Sequence, residues 1–473
     1  SSGNGLIYPN EFFFHNLDLT QSPVTSVTNG EIIKQGLFAN ATIGFKEMLF
    51  LDIGGRNDWA STLALTGNDS YFYPSIGLTA IVSQMFDFGD AVSLGKFRFS
   101  NTTVANEVPF NRISPSNRIT DPVGGLSRNT TLPFTDAKPE IITSTEFGAD
   151  WRFFANRLGI DFTWYNIKST DQFVPVPLDA SDPESQGRFT QKFINAGEIV
   201  NKGVEISLTG APIRNDNMEW NTTVNYTRNR SEIVDIGPDD ERIINLGSSE
   251  GYSTRLAEGG RFNDLYVLKF RRADDGRILF DDNGRPLRTT ERELIGNLDP
   301  DFTLGWNNSF RFGRITVGAL INGVFGGKVF SQTESILDGA GVSQRTADAR
   351  DVGSVPVNGV VESSGAAVTS VDPETWYRFL GDRNGVGEAY VYDRTNIRLA
   401  QFSLAYDFDM EKLNLPFIKA ASLSFIGNNL FFLQKEAPFD PELAMSTNRN
   451  SVGLDNFNLP STRNYGVNLS VTF

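Results

Sequence analysis

The sequence of 473 residues contains no cysteine and a single histidine, His15. The first absence excludes a disulfide scaffold, thiolate metal sites and cysteine catalysis. The second leaves no basis for Ser–His chemistry or a histidine-rich metal centre. His15 follows Phe12, Phe13 and Phe14 in a polar N-terminal stretch and reads as a structural residue. No apolar run approaches the roughly 18 residues of a membrane-spanning helix. Positive charge is also scarce: 42 Lys and Arg against 57 Asp and Glu leave a net charge of −15. That balance argues against nucleic acid as a partner, because phosphate-backbone binding needs clustered Lys and Arg. The chain opens on Ser1-Ser2-Gly3, without an initiator methionine or a signal-peptide pattern, so the native start is expected to be removed or to lie upstream.

Phenylalanine and glycine are plentiful, with 38 Phe and 44 Gly against 12 Tyr and 6 Trp. The apolar residues recur with period two, the pattern of strands whose side chains alternate between faces. In 302–312, Phe302, Leu304, Trp306, Asn308, Phe310 and Phe312 alternate with Thr303, Gly305, Asn307, Ser309 and Arg311. The pattern predicts thirteen strands: 34–45, 48–58, 71–84, 91–104, 140–155, 160–173, 199–213, 218–233, 302–312, 315–329, 394–408, 418–433 and 463–473. Most are longer than the five or six residues usual in soluble proteins, and a tilted bilayer-spanning strand needs about 9–11.

The connections alternate short and long. Short turns at Lys46-Glu47, 156–159, 214–217, Gly313-Arg314 and 409–417 fall on one side. Long polar stretches near 59–70, 105–139, 174–198, 234–301, 330–393 and 434–462 fall on the other. This is the topology of an antiparallel transmembrane β-barrel, with periplasmic turns and long extracellular loops. Residues 1–33 read as a further extracellular loop segment and 34–473 as barrel strands with their loops. Thirteen is odd, whereas single-chain bacterial barrels have even strand numbers, so an all-β chain forming the C-terminal portion of a larger barrel is expected.

Two stretches strain this frame. Arg398 falls in phase with Phe402, Leu404, Tyr406 and Phe408 on the apolar face, which calls for snorkelling or for a bulge that shifts the phase. The strand-like stretch 264–270 breaks the up-and-down parity and is assigned to a folded extracellular loop. Trp59, Tyr71, Tyr73, Trp151, Trp164 and Trp220 lie near strand ends, where aromatic girdles anchor a barrel.

The candidate chemistry is thin. Asp274-Asp275-Gly276 and Asp281-Asp282-Asn283-Gly284 loosely resemble calcium loops, but the full ligand spacing is not met. Asp281 and Asn283 are weak metal candidates, and the hairpin-turn reading of Asp-Gly and Asn-Gly is preferred. No acid/base set converges, so no enzymatic activity, metal or cofactor is expected. Glu146, Asp150, Arg152, Glu205, Glu219 and Arg311 fall on the polar faces, as lumen patterning alone requires. Trp376, Tyr377 and Phe379 in the 330–393 loop are candidates for contact with a ligand or partner, or for a small local core.

Several ordered motifs carry a family resemblance: Lys138-Pro-Glu140, Glu146-Phe-Gly-Ala-Asp150 and Asn195-Ala-Gly-Glu-Ile-Val-Asn-Lys-Gly-Val-Glu-Ile-Ser-Leu208. They continue with 295–302, Gly326-Gly327, Asn396-Ile-Arg-Leu399, Gly427-Asn-Asn-Leu430 and Asp440-Pro-Glu442. Together they resemble SusC/RagA-like TonB-dependent outer-membrane transporters over almost the whole chain. The resemblance implies a bacterial outer-membrane importer of oligosaccharides or oligopeptides that works with a SusD-like surface lipoprotein. TonB would act through an N-terminal plug region for which no segment of this sequence reads as a candidate. On a 22-strand template the chain would supply about the last thirteen strands. In such proteins the aromatic C-terminal residue, here Phe473, is read by the barrel-assembly machinery. The alternative is a SusC-like barrel serving as a scaffold component of a larger outer-membrane complex. A soluble, secreted glycan-binding module is a third reading, disfavoured by strand length.

Overall fold

The computed structural model describes residues 31–113, 118–119, 126–178, 183–237, 244–413, 417–443 and 452–473. Thirteen strands form one antiparallel sheet: β1 (Lys34–Phe45), β2 (Leu49–Ala60), β3 (Ser70–Ile81), β4 (Val92–Asn106), β5 (Glu140–Phe153), β6 (Leu158–Thr170) and β7 (Glu198–Arg214), followed by β8 (Met218–Asp235), β9 (Phe302–Phe312), β10 (Ile315–Phe325), β11 (Asn396–Asp407), β12 (Ala420–Lys435) and β13 (Asn464–Thr472). Each strand pairs with its sequence neighbours in this series, from β1 at one edge to β13 at the other. The edges do not meet, so the sheet is an open wall. Every strand expected from period two is present within a few residues of its expected ends.

Side-chain direction is uniform across the wall. One transverse row runs through Lys96, Asp150, Asp161, Ser207, Asn225, Gly305, Asn322 and Arg398, all polar or glycine. One residue along each strand, the opposite face carries Trp151, Ile160, Leu208, Val224, Trp306, Ile321, Leu399 and Phe431 in register. A one-residue slip would exchange the two faces completely, so the segregation of polar from apolar side chains fixes the register. That face is left exposed: Phe99, Phe147, Leu208, Trp306, Leu404, Phe425 and Leu469 are all more than a third accessible.

The Arg398 conflict is resolved by a bulge. Ile321 pairs with Leu399 while Leu320 pairs with Gln401, so Ala400 is the extra residue. Strand β12 shows a register shift at the same place. Phe402 and Leu399 therefore both face outward, and Arg398 turns to the polar face beside Asn322.

Four strands end earlier than their apolar pattern suggests. Strand β3 stops at Ile81, where Val82–Met85 forms a single helical turn. Strand β6 stops at Thr170 because Asp171 turns to φ 55°, and Phe173–Pro177 instead pairs with Gln191–Asn195 in a separate hairpin. Strand β10 stops at Phe325 because Gly326 and Gly327 adopt φ 71° and 80°. A Cβ on Gly326 would stand 2.2 Å from Asp301, and one on Gly327 2.8 Å from the Asp299 carbonyl, so both positions require glycine. At its C-terminal end β5 stops at Phe153, where Phe154, Ala155 and Asn156 all take positive φ in the turn to β6.

At the end of the wall bearing the long connections, the loops fold into a cap. Asp264–Val267, the stretch that broke parity, pairs with Tyr252–Leu256 and Glu293–Asn297 in a small sheet completed by Ile244–Ser248. Helices α1 (Gln332–Gly339), α2 (Gln344–Val352) and α3 (Pro373–Leu380) come from the 330–393 loop. Tyr252, Leu265, Val267, Leu298, Phe330, Leu380, Val386, Tyr390 and Leu454 form one buried core drawn from three different loops. A second core joins Leu63, Val108, Ile113, Phe134, Ala137 and Phe193.

Candidate functional site

The polar face of the wall carries paired charge. Asp150 and Asp161 are cross-strand neighbours. Lys96 Nζ lies 3.4 Å from Asp150, and Arg98 reaches Asp161 at 2.5 Å while also donating to the Thr163 hydroxyl at 2.8 Å. Arg152 approaches Asp150 from its own strand at 3.4 Å, and Arg311 pairs across strands with Glu219 at 3.2 Å. Two adjacent carboxylates held between three cations are mutually neutralised. Further along, the Tyr165 ring lies over Gly203, where a Cβ would stand 2.2 Å from the ring. The result is a polar, mixed-charge face backed by an apolar one, the division a barrel lumen needs.

The motifs singled out in the sequence meet where the loops leave the wall. The Asn195 side chain accepts from the Lys138 amide at 2.7 Å and donates to the Lys138 and Asp171 carbonyls. Glu140 accepts from the Phe173 amide at 2.8 Å. Asn297 donates to Asp264, and Asn263 to Asp299, each at 2.9 Å. The buried Arg394 donates to the Leu298 carbonyl at 2.6 Å. Arg398, inward through the bulge, pairs with Glu442 at 2.5 Å and lies 3.9 Å from Asp440. Burial holds the Glu442 carboxyl above the usual range, with Arg398 opposing. These residues therefore knot separate loops to the rim, and their sequence spacing reflects that geometry.

Inside the cap, the fully buried Asp338 gathers Ser343 at 2.6 Å, Arg345 at 2.5 Å and the Tyr390 hydroxyl at 3.1 Å. Tyr392 donates to Glu334 beside them. Burial pushes both tyrosine hydroxyls up, and the carboxylates add to it. Burial opposes the charge on Arg345, but Asp338 more than restores it. No sequence spacing announced this cluster, because its members come from two helices and the 387–393 segment.

The candidate contact residues lie on α3. Trp376 and Phe379 pack against the cap core, and Trp376 stacks on Phe270 with centroids 5.5 Å apart. Phe379 carries the Arg288 guanidinium over its ring. Tyr377 lines a separate cavity of about 320 Å³ together with Arg350 and Arg378. Asp281 accepts from the Asn283 and Arg285 amides in a turn closed by Gly284 at φ 73°. Among the described residues no three His, Asp or Glu side chains are grouped to hold a metal. Phe473 is exposed at the end of the chain. His15 lies outside the described residues.

A second cavity, about 770 Å³, is lined by Arg255, Arg288 and Arg292. The sequence reading missed it. Arg285, Arg288 and Arg292 form a visible basic run in an acidic chain, but Arg255 joins them only through the small sheet.

Comparison with known proteins agrees with this architecture. A family model described as TonB dependent receptor-like, beta-barrel matches residues 3–246. TonB-dependent receptor P3 of Formosa agariphila is 25% identical over 503 aligned residues, covering 98% of this chain and 48% of that protein. TonB-dependent receptor SusC of Bacteroides thetaiotaomicron is 26% identical over 169 residues, 34% of this chain and 16% of that protein. The RagAB peptide importer in its open-open state superposes with a TM-score of 0.73 at 18% identity, covering 96% of this chain and 49% of that one. The chain thus spans about half the length of the relatives it matches most fully. With thirteen paired strands, a polar inner face and a matching family model, the chain belongs to the TonB-dependent receptor-like β-barrel family of the bacterial outer membrane.

Proposed function

We propose that this chain forms the larger part of the wall and the outer cap of a SusC-like importer. It would take up oligopeptides or oligosaccharides with a SusD-like surface lipoprotein and draw energy from TonB through a plug. The observation that carries the reading is the two-faced wall: seven strands share a continuous polar row backed by a continuous apolar one. Lipid takes the apolar face, and the charged lining faces a watered interior. On this reading the cap lies outside the cell and the short turns lie in the periplasm. The similarity to the RagAB peptide importer favours peptides as the first substrates to try.

The test is uptake by cells making the complete native protein, offered fluorescent oligopeptide and oligosaccharide pools. Accumulation that requires both the protein and the proton-motive force is expected. Accumulation that is unchanged when the gene is deleted, or when the force is collapsed, sinks the importer reading.

A further inference from the structure

The cavity of about 770 Å³ lies between the small four-stranded sheet, the 286–292 segment and α3. Arg255 enters from the strand Tyr252–Leu256, Arg288 and Arg292 from the segment leading into Glu293–Asn297. All three are partly buried. Among the described residues none of the three makes an ion pair, although the chain holds 57 carboxylates. Neighbouring acids are engaged elsewhere: Glu250 with Arg383 at 2.8 Å, Glu293 with Lys269 at 3.5 Å and Glu388 with Arg272 at 3.1 Å. Glu291 lines the cavity but is exposed.

Neutral groups aim the three guanidinium groups instead. Arg292 donates to the carbonyls of Ser249 and Glu250, each at 2.7 Å. Arg255 donates to the Ser253 hydroxyl at 2.9 Å and lies over the Tyr266 ring. Arg288 lies over Phe379, 5.3 Å from its centroid. Each fork has five N–H donors, so these contacts leave most of them for a ligand. Partial burial and the charge of Arg255 both work against the cation on Arg292. Three like charges held together in a strongly acidic chain call for a counter-charge from outside it.

We propose that this cavity is a subsite for the carboxylate of an imported oligomer. Guanidinium forks grip a carboxylate with two parallel hydrogen bonds, and Arg is the side chain suited to that geometry. The buried Leu268 and the Phe379 ring give the apolar body of the ligand a surface beside the charged group. The shared chemistry is a carboxylate on an oligomer, whether an acidic peptide or a uronate glycan. The proposal rests on the importer reading and deepens it.

The test is calorimetric titration of the complete native protein, purified in detergent. The probes are triglutamate, trigalacturonate, the neutral trialanine amide and trigalactose, and inorganic sulfate and phosphate. Saturable binding of triglutamate or trigalacturonate is expected, about tenfold or more tighter than sulfate or phosphate, and the stronger of the two identifies the source. The double variant Arg255→Gln/Arg292→Gln weakens that binding about tenfold or more, and Arg288→Gln weakens it less. Protease resistance of the cap shows that each variant is folded, and Arg288→Gln, whose side chain makes no hydrogen bond among the described residues and only rests on Phe379, is the safeguard if the double variant is not. Absence of saturable binding by either acidic trimer overturns the proposal. So does equal binding by wild type and folded variants, or phosphate binding as tight as the trimers, which would assign the cavity to a lipid headgroup or free ion. Equilibrium binding needs no energised transport. Loss of uptake with binding retained therefore sinks only the importer reading, and uptake with variant-independent binding sinks only the subsite.

Discussion

The wall and the cap are built from one chain by opposite means. The wall uses strands of 9 to 18 residues in continuous ladders, with its large apolar side chains turned outward and exposed. The cap uses strands of two to seven residues and three short helices around cores that are fully buried. The difference follows from the two solvents. In lipid every backbone group must be bonded within the sheet, while the surrounding chains receive the apolar side chains. In water a segment is stable only if it buries its own apolar surface, and three loops must pool residues to do so. Stability of the cap thus resides in side-chain packing, and that of the wall in ladders and lipid.

Mutations that act on one region and spare the other test that division. The largest effect is expected from Phe330→Ala, which empties the centre of the cap core and costs about 3 to 5 kcal/mol there. Limited proteolysis opens the 328–394 region, while the heat-dependent gel migration of the barrel stays as in wild type. Simultaneous loss of barrel migration would show that the two regions fold as one.

Asp338→Ala follows, at about 3 kcal/mol, since it strips a carboxylate that is fully buried against Arg345, which keeps some contact with solvent. The readout is again cap proteolysis, and Asp338→Asn recovers part of the protection by retaining hydrogen bonds to Ser343 and Tyr390.

On the wall, Phe99→Arg places a charge on the apolar face and costs about 2 to 4 kcal/mol near the bilayer midplane. Its neighbour Ser100, turned to the polar face, accepts the same substitution with little loss of barrel thermal stability. Equal sensitivity at both positions would contradict the assignment of faces.

The smallest effect is a pH dependence at the rim. Burial raises the Glu442 carboxyl in the folded chain, so the folded state binds its proton more tightly than the unfolded one. Its stabilising contribution is fully present below the ordinary glutamate range and is lost as pH rises through the folded value. Hydrogen exchange in 436–443 should therefore quicken as pH rises through that window, after correction for the intrinsic rate, and Glu442→Gln should flatten the trend.

Much of the wall was readable because alternation is a local property. Asp150 beside Trp151, or Gly305 beside Trp306, declares the face of a strand without reference to any other strand. Arg398 was readable only as a conflict, since the bulge at Ala400 lies between the two ladders that reveal it. The Asp264–Val267 strand could be excluded from the barrel by parity, but its partners could not be named. Trp376 and Phe379 were visible as an aromatic group, whereas the rings and guanidinium group that meet them, Phe270 and Arg288, lie far off in sequence.

The sequence by itself determined the number of wall strands, their two faces and the side on which the long connections lie, because period two and turn chemistry act between near neighbours. Only the tertiary structure decided how the loops pool a common core, how Asp338 finds Tyr390 and Glu442 finds Arg398, and that Arg255 joins Arg288 and Arg292 around one cavity. Those contacts link segments tens to more than a hundred residues apart, and the free energy that selects them comes from burial and charge pairing that no local pattern records.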